Sequence, residues 1–231
     1  MGGWIALNAL DGEGSFDAWL ARPEGGAKAA IVVIQEVFGV NPGIRRKADG
    51  WAAKGYLAIA PDMFWRFAPH YEADPDVQED VDEAMRLRHQ FDFDKAARDV
   101  EVAIRHARAL GAEKVGVVGF CAGGSVAYLA ATRTDADACV GYYGRVIADY
   151  LNETHAIARP LLLHFGEADP SIPAELRAQV KQALGANPRV TIHEYEGAGH
   201  GFAATSGKRR NEVAAALADA RTEAFFAEHL A

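Results

Sequence analysis

The stretch from Lys114 to Ala131, K-V-G-V-V-G-F-C-A-G-G-S-V-A-Y-L-A-A, decides the fold of this chain. An apolar run typical of a buried strand passes through a glycine-rich turn into a segment that reads as a helix. The turn matches G-x-S-x-G with Cys121 in place of serine. Such a turn projects its central side chain above the sheet, and small residues two positions away, here Gly119 and Gly123, keep the crowded backbone free of clashes. The stretch therefore predicts Cys121 as a nucleophile.

A structural interpretation of Cys121 competes with the catalytic one. Free cysteine is among the most buried residue types, so an isolated cysteine is more often part of a core than of an active site. The strand, turn and helix around Cys121 favour the catalytic interpretation. A side chain here lies at a helix N-terminus, where free N–H groups and the helix dipole favour a thiolate and a developing oxyanion. The N–H of Ala122 is then one predicted oxyanion donor.

Outside this stretch, short apolar runs alternate with segments of helical periodicity. The predicted strands are residues 29–35, 56–60, 114–119, 138–143, 161–165 and 190–195. The predicted helices are residues 43–54, 81–91, 94–110, 123–131, 174–184 and 209–229. This alternation predicts an α/β fold with a mostly parallel sheet, helices on both faces and one domain over residues 1–231. Residues 4–7 and 16–21 predict a hairpin at the sheet edge.

Composition narrows the class of protein. The chain has 231 residues, is 50% hydrophobic and carries a formal net charge of −8, which disfavours nucleic acid as a partner. Its two cysteines, without a signal peptide, predict reduced thiols and a cytoplasmic location. No apolar stretch approaches the ~20 residues of a membrane span, so no membrane partner is expected.

Two residues further along the chain are candidate partners for Cys121. Asp169 follows a predicted strand in the run G-E-A-D-P, and His200 follows the next one in E-G-A-G-H-G-F. Taken singly, each reads equally well as an ordinary turn or loop residue. Their order along the chain, nucleophile then acid then histidine, is that of α/β-hydrolases, which favours a catalytic triad. Neither histidines nor cysteines occur at metal-ligand spacing, so no metal is expected.

Several segments together resemble the dienelactone hydrolases, or carboxymethylenebutenolidases, of the α/β-hydrolase superfamily. The matching segments are I-V-V-I-Q-E-V-F-G-V-N, A-P-D-M-F, V-G-V-V-G-F-C-A-G-G, V-G-Y-Y-G and E-G-A-G-H-G-F. The resemblance implies a single-domain α/β-hydrolase fold without a cofactor, monomeric, acting on a small ester or lactone. It also implies a catalytic set, two oxyanion donors and substrate contacts. The catalytic set is Cys121, Asp169, His200 and Glu36. The oxyanion donors are the N–H groups of Val37 and Ala122, and the substrate contacts are Phe38, Tyr143 and Gly201.

The resemblance further implies a mechanism. Cys121 attacks the carbonyl to form a thioester, and His200, oriented by Asp169, activates the water that hydrolyses it. Glu36 is expected beside the resting thiol, where its carboxylate could accept the thiol proton.

Two arginines of the resembled family lack counterparts here. Members that act on dienelactone hold its carboxylate with these arginines, and an ungapped comparison puts Val81 and Ala204 at those positions. Other arginines could reach the pocket from elsewhere, although such residues are more often solvated charges on a helix surface. The candidates are Arg45, Arg66, Arg86 and Arg88. Because an unpaired buried carboxylate is costly, the sequence predicts a neutral or differently charged ester or lactone.

Two alternatives remain open from the sequence. One is a general carboxylesterase or thioesterase that uses the same residues. The other is a catalytically idle α/β-hydrolase fold that binds a small molecule without turnover.

Overall fold

A single sheet of eight strands organises the chain in a computed structural model that describes residues 2–231. The strands are β1 (Gly3–Asn8), β2 (Ser15–Ala21), β3 (Ala29–Ile34), β4 (Leu57–Pro61), β5 (Lys114–Phe120), β6 (Ala138–Tyr142), β7 (Leu161–Gly166) and β8 (Val190–Tyr195). Their order across the sheet is β1-β2-β4-β3-β5-β6-β7-β8. The pairs from β4 to β8 are parallel, which confirms the predicted mostly parallel sheet.

The central strands are buried along their whole length. Every residue of β3, β4, β6 and β7 is buried, as expected for parallel strands covered on both faces. At the sheet edge, β1 and β2 pair antiparallel, and β2 continues antiparallel onto β4. Buried residues alternate with exposed or partly exposed ones over most of β2, because only one of its faces meets the core.

Within residues 2–231, six α-helices cover the sheet. They are α1 (Pro42–Ala53), α2 (Gln78–Arg88), α3 (Phe93–Ala109), α4 (Ala122–Arg133), α5 (Ala174–Leu184) and α6 (Glu212–His229). The prediction placed the start of α6 at Arg209, which is three residues too early. The side chain of Asn211 accepts a hydrogen bond from the N–H of Ala214 and caps the helix, so Arg209 belongs to the preceding loop. The sequence also did not indicate the 3₁₀-helical turns within Arg145–Ala156, which are interrupted by a kink at Tyr150.

The strand order reverses between β3 and β5. The chain runs outward from β3 to β4 on one side, and from β5 through β6, β7 and β8 on the other. In open α/β sheets the carboxyl ends of the strands at such a reversal border a crevice that holds ligands. The segments that follow β3 and β5 contain Glu36 and Cys121, so both candidate residues lie at this position.

Candidate active site

Cys121 is the one residue between β5 and α4. Its backbone has φ 55° and ψ −116°, a conformation that non-glycine residues rarely adopt. The N–H of Cys121 donates to the carbonyl oxygen of Tyr142 at 3.1 Å, which anchors the turn to the end of β6. A strained strand-to-helix turn of this kind is the one that the sequence predicts, and it exposes the sulfur at the carboxyl end of the sheet.

The loops after β7 and β8 bring two further side chains to Cys121. The Nε2 atom of His200 lies 3.1 Å from the Sγ atom of Cys121, and its Nδ1 atom lies 2.7 Å from Oδ2 of Asp169. The Asp169 side chain is fully buried. The three residues thus form a continuous chain of hydrogen bonds from acid to imidazole to sulfur, which is an arrangement able to move a proton between sulfur and histidine.

Neighbouring charges decide the protonation of His200. Burial by itself would lower the pKa of His200, but the Cys121 sulfur and the hydrogen bond with Asp169 outweigh it and raise the pKa to about 10. Burial would raise the pKa of Asp169, yet the hydrogen bonds from His200 and Ser171 hold it below its usual value. The site therefore favours an imidazolium on His200 beside an ionised Asp169 at neutral pH.

Ser171 adds three contacts that the sequence analysis missed. Its N–H and its hydroxyl both donate to Oδ1 of Asp169, at 2.8 and 2.6 Å. Its Oγ atom also lies 3.1 Å from Nδ1 of His200. The run D-P-S contains a signal for part of this arrangement, because aspartate commonly accepts a hydrogen bond from the N–H two residues later.

Glu36 is held by an arginine rather than by the thiol. The two terminal nitrogens of Arg209 lie 2.9 and 3.3 Å from its carboxylate oxygens. Burial would lower the pKa of Arg209, but the Glu36 carboxylate raises it. A side chain at Gly201 would put its Cβ atom 2.6 Å from the Arg209 guanidinium, so a larger residue there would displace the guanidinium from its present position. The Phe38 ring lies under the same guanidinium, 4.8 Å from its central carbon.

The predicted oxyanion donors border the sulfur. Val37 follows β3 and Ala122 opens α4, and both line one cavity together with Cys121. As the first residue of a helix, Ala122 has an N–H without an intrahelical acceptor. The N–H of Val37 has no backbone or side-chain acceptor within residues 2–231. Both groups are therefore available to a carbonyl oxygen.

The cavity has a volume of about 520 Å³ and combines apolar walls with two arginine side chains. Met85, Phe93 and Val146 supply apolar surface, whereas Arg88 and Arg145 supply guanidinium groups. Within residues 2–231 no carboxylate side chain lines it, and Arg88 makes no ion pair or side-chain hydrogen bond. Arg145 has only a long contact of 3.7 Å with Asp149. The cavity is therefore a positively charged site beside the sulfur.

Tyr143 also lines this cavity. Its hydroxyl is buried and has no hydrogen-bond partner within the described part of the chain. Burial raises the pKa of Tyr143 well above its usual value, so the hydroxyl stays protonated and can donate to a bound molecule. Neither Phe38 nor Gly201 lines the cavity; both lie beside Arg209.

The remaining candidates lie elsewhere. Arg45, Arg66 and Arg86 form ion pairs with acidic residues away from the cavity. Val81 packs against the core and Ala204 is buried near Glu36. Among residues 2–231 no group of three or more His, Cys, Asp or Glu side chains could hold a metal ion. No helix in that range is long and apolar enough to cross a membrane.

Comparison with known proteins identifies the family. The model of the dienelactone hydrolase family matches residues 16–230. The chain belongs to the dienelactone hydrolase family. It is 40% identical over 230 residues to a protein of Azospirillum brasilense, with 98% of each chain covered. It is 37% identical over 225 residues to a carboxymethylenebutenolidase of Pseudomonas putida, with 96% of this chain and 95% of that one covered.

Solved structures agree with this assignment. The crystal structure of a protein from Klebsiella pneumoniae superposes on this chain with a TM-score of 0.83 at 27% identity, covering 98% of this chain and 99% of that one. Membership of the dienelactone hydrolase family makes the chain a hydrolase that acts on ester or lactone bonds.

Proposed function

We propose that this chain hydrolyses its ester or lactone substrate through a thioester on Cys121. The observation that carries the proposal is the contact chain from Sγ of Cys121 to Nε2 of His200 at 3.1 Å and from Nδ1 to Asp169 at 2.7 Å. The thiolate attacks the carbonyl carbon, and the N–H groups of Val37 and Ala122 stabilise the oxyanion. When the C–O bond breaks, His200 gives its Nε2 proton to the departing oxygen and a thioester remains.

The electrostatics support the second half of the reaction. The charge that does most to raise the pKa of His200 is that of Cys121, and thioester formation removes this charge. The imidazole then holds a proton less strongly and can accept one from water. Hydroxide attacks the thioester carbon, the thiolate leaves, and the acid product departs. Asp169 keeps the Nδ1 proton in place throughout.

The contacts favour His200 as the acceptor of the thiol proton. Glu36 could take that role only if its carboxylate exchanged Arg209 for Cys121, because both of its oxygens now accept from the guanidinium. Glu36 and Arg209 instead line a neighbouring cavity that also contacts Tyr143. The buried hydroxyl of Tyr143 is a donor suited to an oxygen atom of the substrate.

Replacing His200 with glutamine is expected to trap the thioester. At about pH 9 a fraction of ordinary cysteine thiols is ionised without a neighbouring base, so an activated ester such as 4-nitrophenyl acetate can still acylate Cys121. Without the imidazole base, deacylation slows and one acetyl group accumulates, which intact-mass spectrometry detects. Hydroxylamine should remove it, as expected for a thioester. The double variant His200→Gln/Cys121→Ala is the control; an adduct that persists there, or that resists hydroxylamine, contradicts the mechanism.

The cavity also bears on the charge of the substrate. The expectation of a neutral or differently charged substrate rested on Val81 and Ala204, but Arg88 and Arg145 bring two guanidiniums to the cavity from other positions. Arg88 in particular is unpaired within the described residues. We therefore propose an ester or lactone whose acidic group meets these arginines, since guanidinium binds carboxylate in a bidentate way.

Replacing Arg88 with glutamine is expected to weaken selection for a charged ester. The test compares 4-nitrophenyl hydrogen glutarate with uncharged 4-nitrophenyl valerate, which has an acyl chain of the same length. The ratio of their kcat/KM values should fall roughly tenfold, because a hydrogen bond to a charged group contributes about 1.5–3 kcal/mol. Arg86→Gln, on the same helix but paired with Glu83, should leave the ratio unchanged. An equal ratio in wild type and Arg88→Gln contradicts this assignment.

A further inference from the structure

The turn Asp169-Pro170-Ser171 that follows β7 forms a small hydrogen-bonded unit around the acid of the site. Pro170 has no N–H, so the first backbone donor available after Asp169 is that of Ser171. This N–H and the Ser171 hydroxyl both donate to the same carboxylate oxygen, Oδ1, at 2.8 and 2.6 Å. From this arrangement we infer that Ser171 is a positioning residue for the Asp169–His200 pair, an inference that rests on the proposed cysteine mechanism.

The geometry gives the hydroxyl of Ser171 a specific effect. With Oδ1 occupied by two donors, Oδ2 is the oxygen that faces Nδ1 of His200, at 2.7 Å. The carboxylate can rotate only by breaking both bonds to Ser171. The Oγ atom also lies 3.1 Å from Nδ1 of His200, so the same hydroxyl gives that N–H a second, weaker acceptor. Ser171 thus restrains both partners of the Asp169–His200 hydrogen bond.

The hydroxyl also contributes to the charge state of the site. Its hydrogen bond helps to keep Asp169 ionised although that side chain is fully buried. An ionised Asp169 stabilises the imidazolium of His200, and the imidazolium in turn stabilises the thiolate of Cys121. Loss of the hydroxyl is therefore expected to reduce the fraction of enzyme that carries the thiolate–imidazolium pair at neutral pH. A merely structural residue in an exposed turn would not change that fraction.

The test measures two quantities in Ser171→Ala: ester hydrolysis, and the rate at which iodoacetamide alkylates Cys121 as a function of pH. We expect kcat to fall about tenfold with KM little changed, the size of effect of one charge-assisted hydrogen bond. The midpoint of the alkylation profile should move up by about one pH unit, because one pH unit corresponds to the same free energy as a tenfold change in rate. Ser171→Thr keeps the hydroxyl and should restore both quantities.

Ser15→Ala serves as the matched control, because Ser15 is an exposed serine at the start of the edge strand β2, outside the cavity. An alkylation profile and kcat in Ser171→Ala equal to those of wild type would overturn the inference. So would equal losses in the Ala and Thr variants with an unmoved midpoint, which would indicate only a disturbed turn. If wild type itself neither hydrolyses an ester nor becomes alkylated at Cys121, the proposed mechanism fails and this inference fails with it.

Discussion

Cys121→Ala is expected to lower kcat/KM for ester hydrolysis at least ~10⁴-fold, because removal of a nucleophile from a triad removes the covalent pathway. His200 and Asp169 remain hydrogen-bonded in this variant, but they have no sulfur on which to form the acyl intermediate. The measurement is the initial rate with a 4-nitrophenyl ester, together with mass-spectrometric detection of iodoacetamide labelling. The label should appear on Cys121 in the wild type and be absent from that position in the variant.

The second cysteine of the chain supplies a matched control. Cys139 lies in β6, is fully buried, and has a pKa raised by burial. Cys139→Ala should keep kcat/KM within a few-fold of wild type when assayed well below its melting temperature, and Cys121 should still be labelled. Activity in Cys121→Ala within tenfold of wild type would refute the cysteine mechanism and favour an attack by water alone.

Gly119→Ala is expected to abolish most of the folded protein. A Cβ atom at Gly119 would lie 1.8 Å from the carbonyl oxygen of Gly123, which is backbone and cannot move aside. The strand end and the first turn of α4 would have to separate, at a cost of more than ~3 kcal/mol. Urea unfolding followed by circular dichroism measures the loss in the free energy of unfolding, or the lack of a folded baseline.

Gly50→Ala is the matched substitution at a site with space. Gly50 lies inside α1, and a Cβ atom there would meet nothing within 4 Å. Alanine is a better helix former than glycine, so the free energy of unfolding should rise by up to about 1 kcal/mol. Equal destabilisation by the two substitutions would show that crowding at Gly119 is not the reason why Gly119→Ala destabilises the protein.

Much of the fold could be predicted because its signals are local. Apolar runs followed by turn residues located the parallel strands to within a residue or two, and the G-x-C-x-G turn located the junction of β5 and α4. The start of α6 was predicted wrongly because the residues on both sides of its first residue, Glu212, have a composition typical of a helix. Only the cap formed by Asn211 separates the helix from the loop, and that cap depends on geometry.

The charged residues of the site were harder to predict. Arg209 was assigned to a helix, yet it reaches Glu36 from a loop 173 positions away along the chain. From the sequence alone, Arg88 could not be distinguished from the other arginines that were candidates for reaching the pocket. It lines the cavity, whereas Arg86, two residues earlier on the same helix, points away and pairs with Glu83. A change of two residues on a helix rotates a side chain by about 200°, so small differences in helix placement decide such contacts.

The sequence by itself determined the G-x-C-x-G turn at Cys121 and the order of Cys121, Asp169 and His200 after their strands, because each depends on a few neighbouring residues whose steric and hydrogen-bonding needs are local. The tertiary structure alone decided which cations meet the cavity and the carboxylates: Arg88 and Arg145 beside Cys121, and Arg209 on Glu36. Long flexible side chains reach their partners across space, and the partner is set by how helices and loops pack on the sheet. In the proposed mechanism, the chemical step depends on the first kind of feature, and the choice of substrate depends on the second.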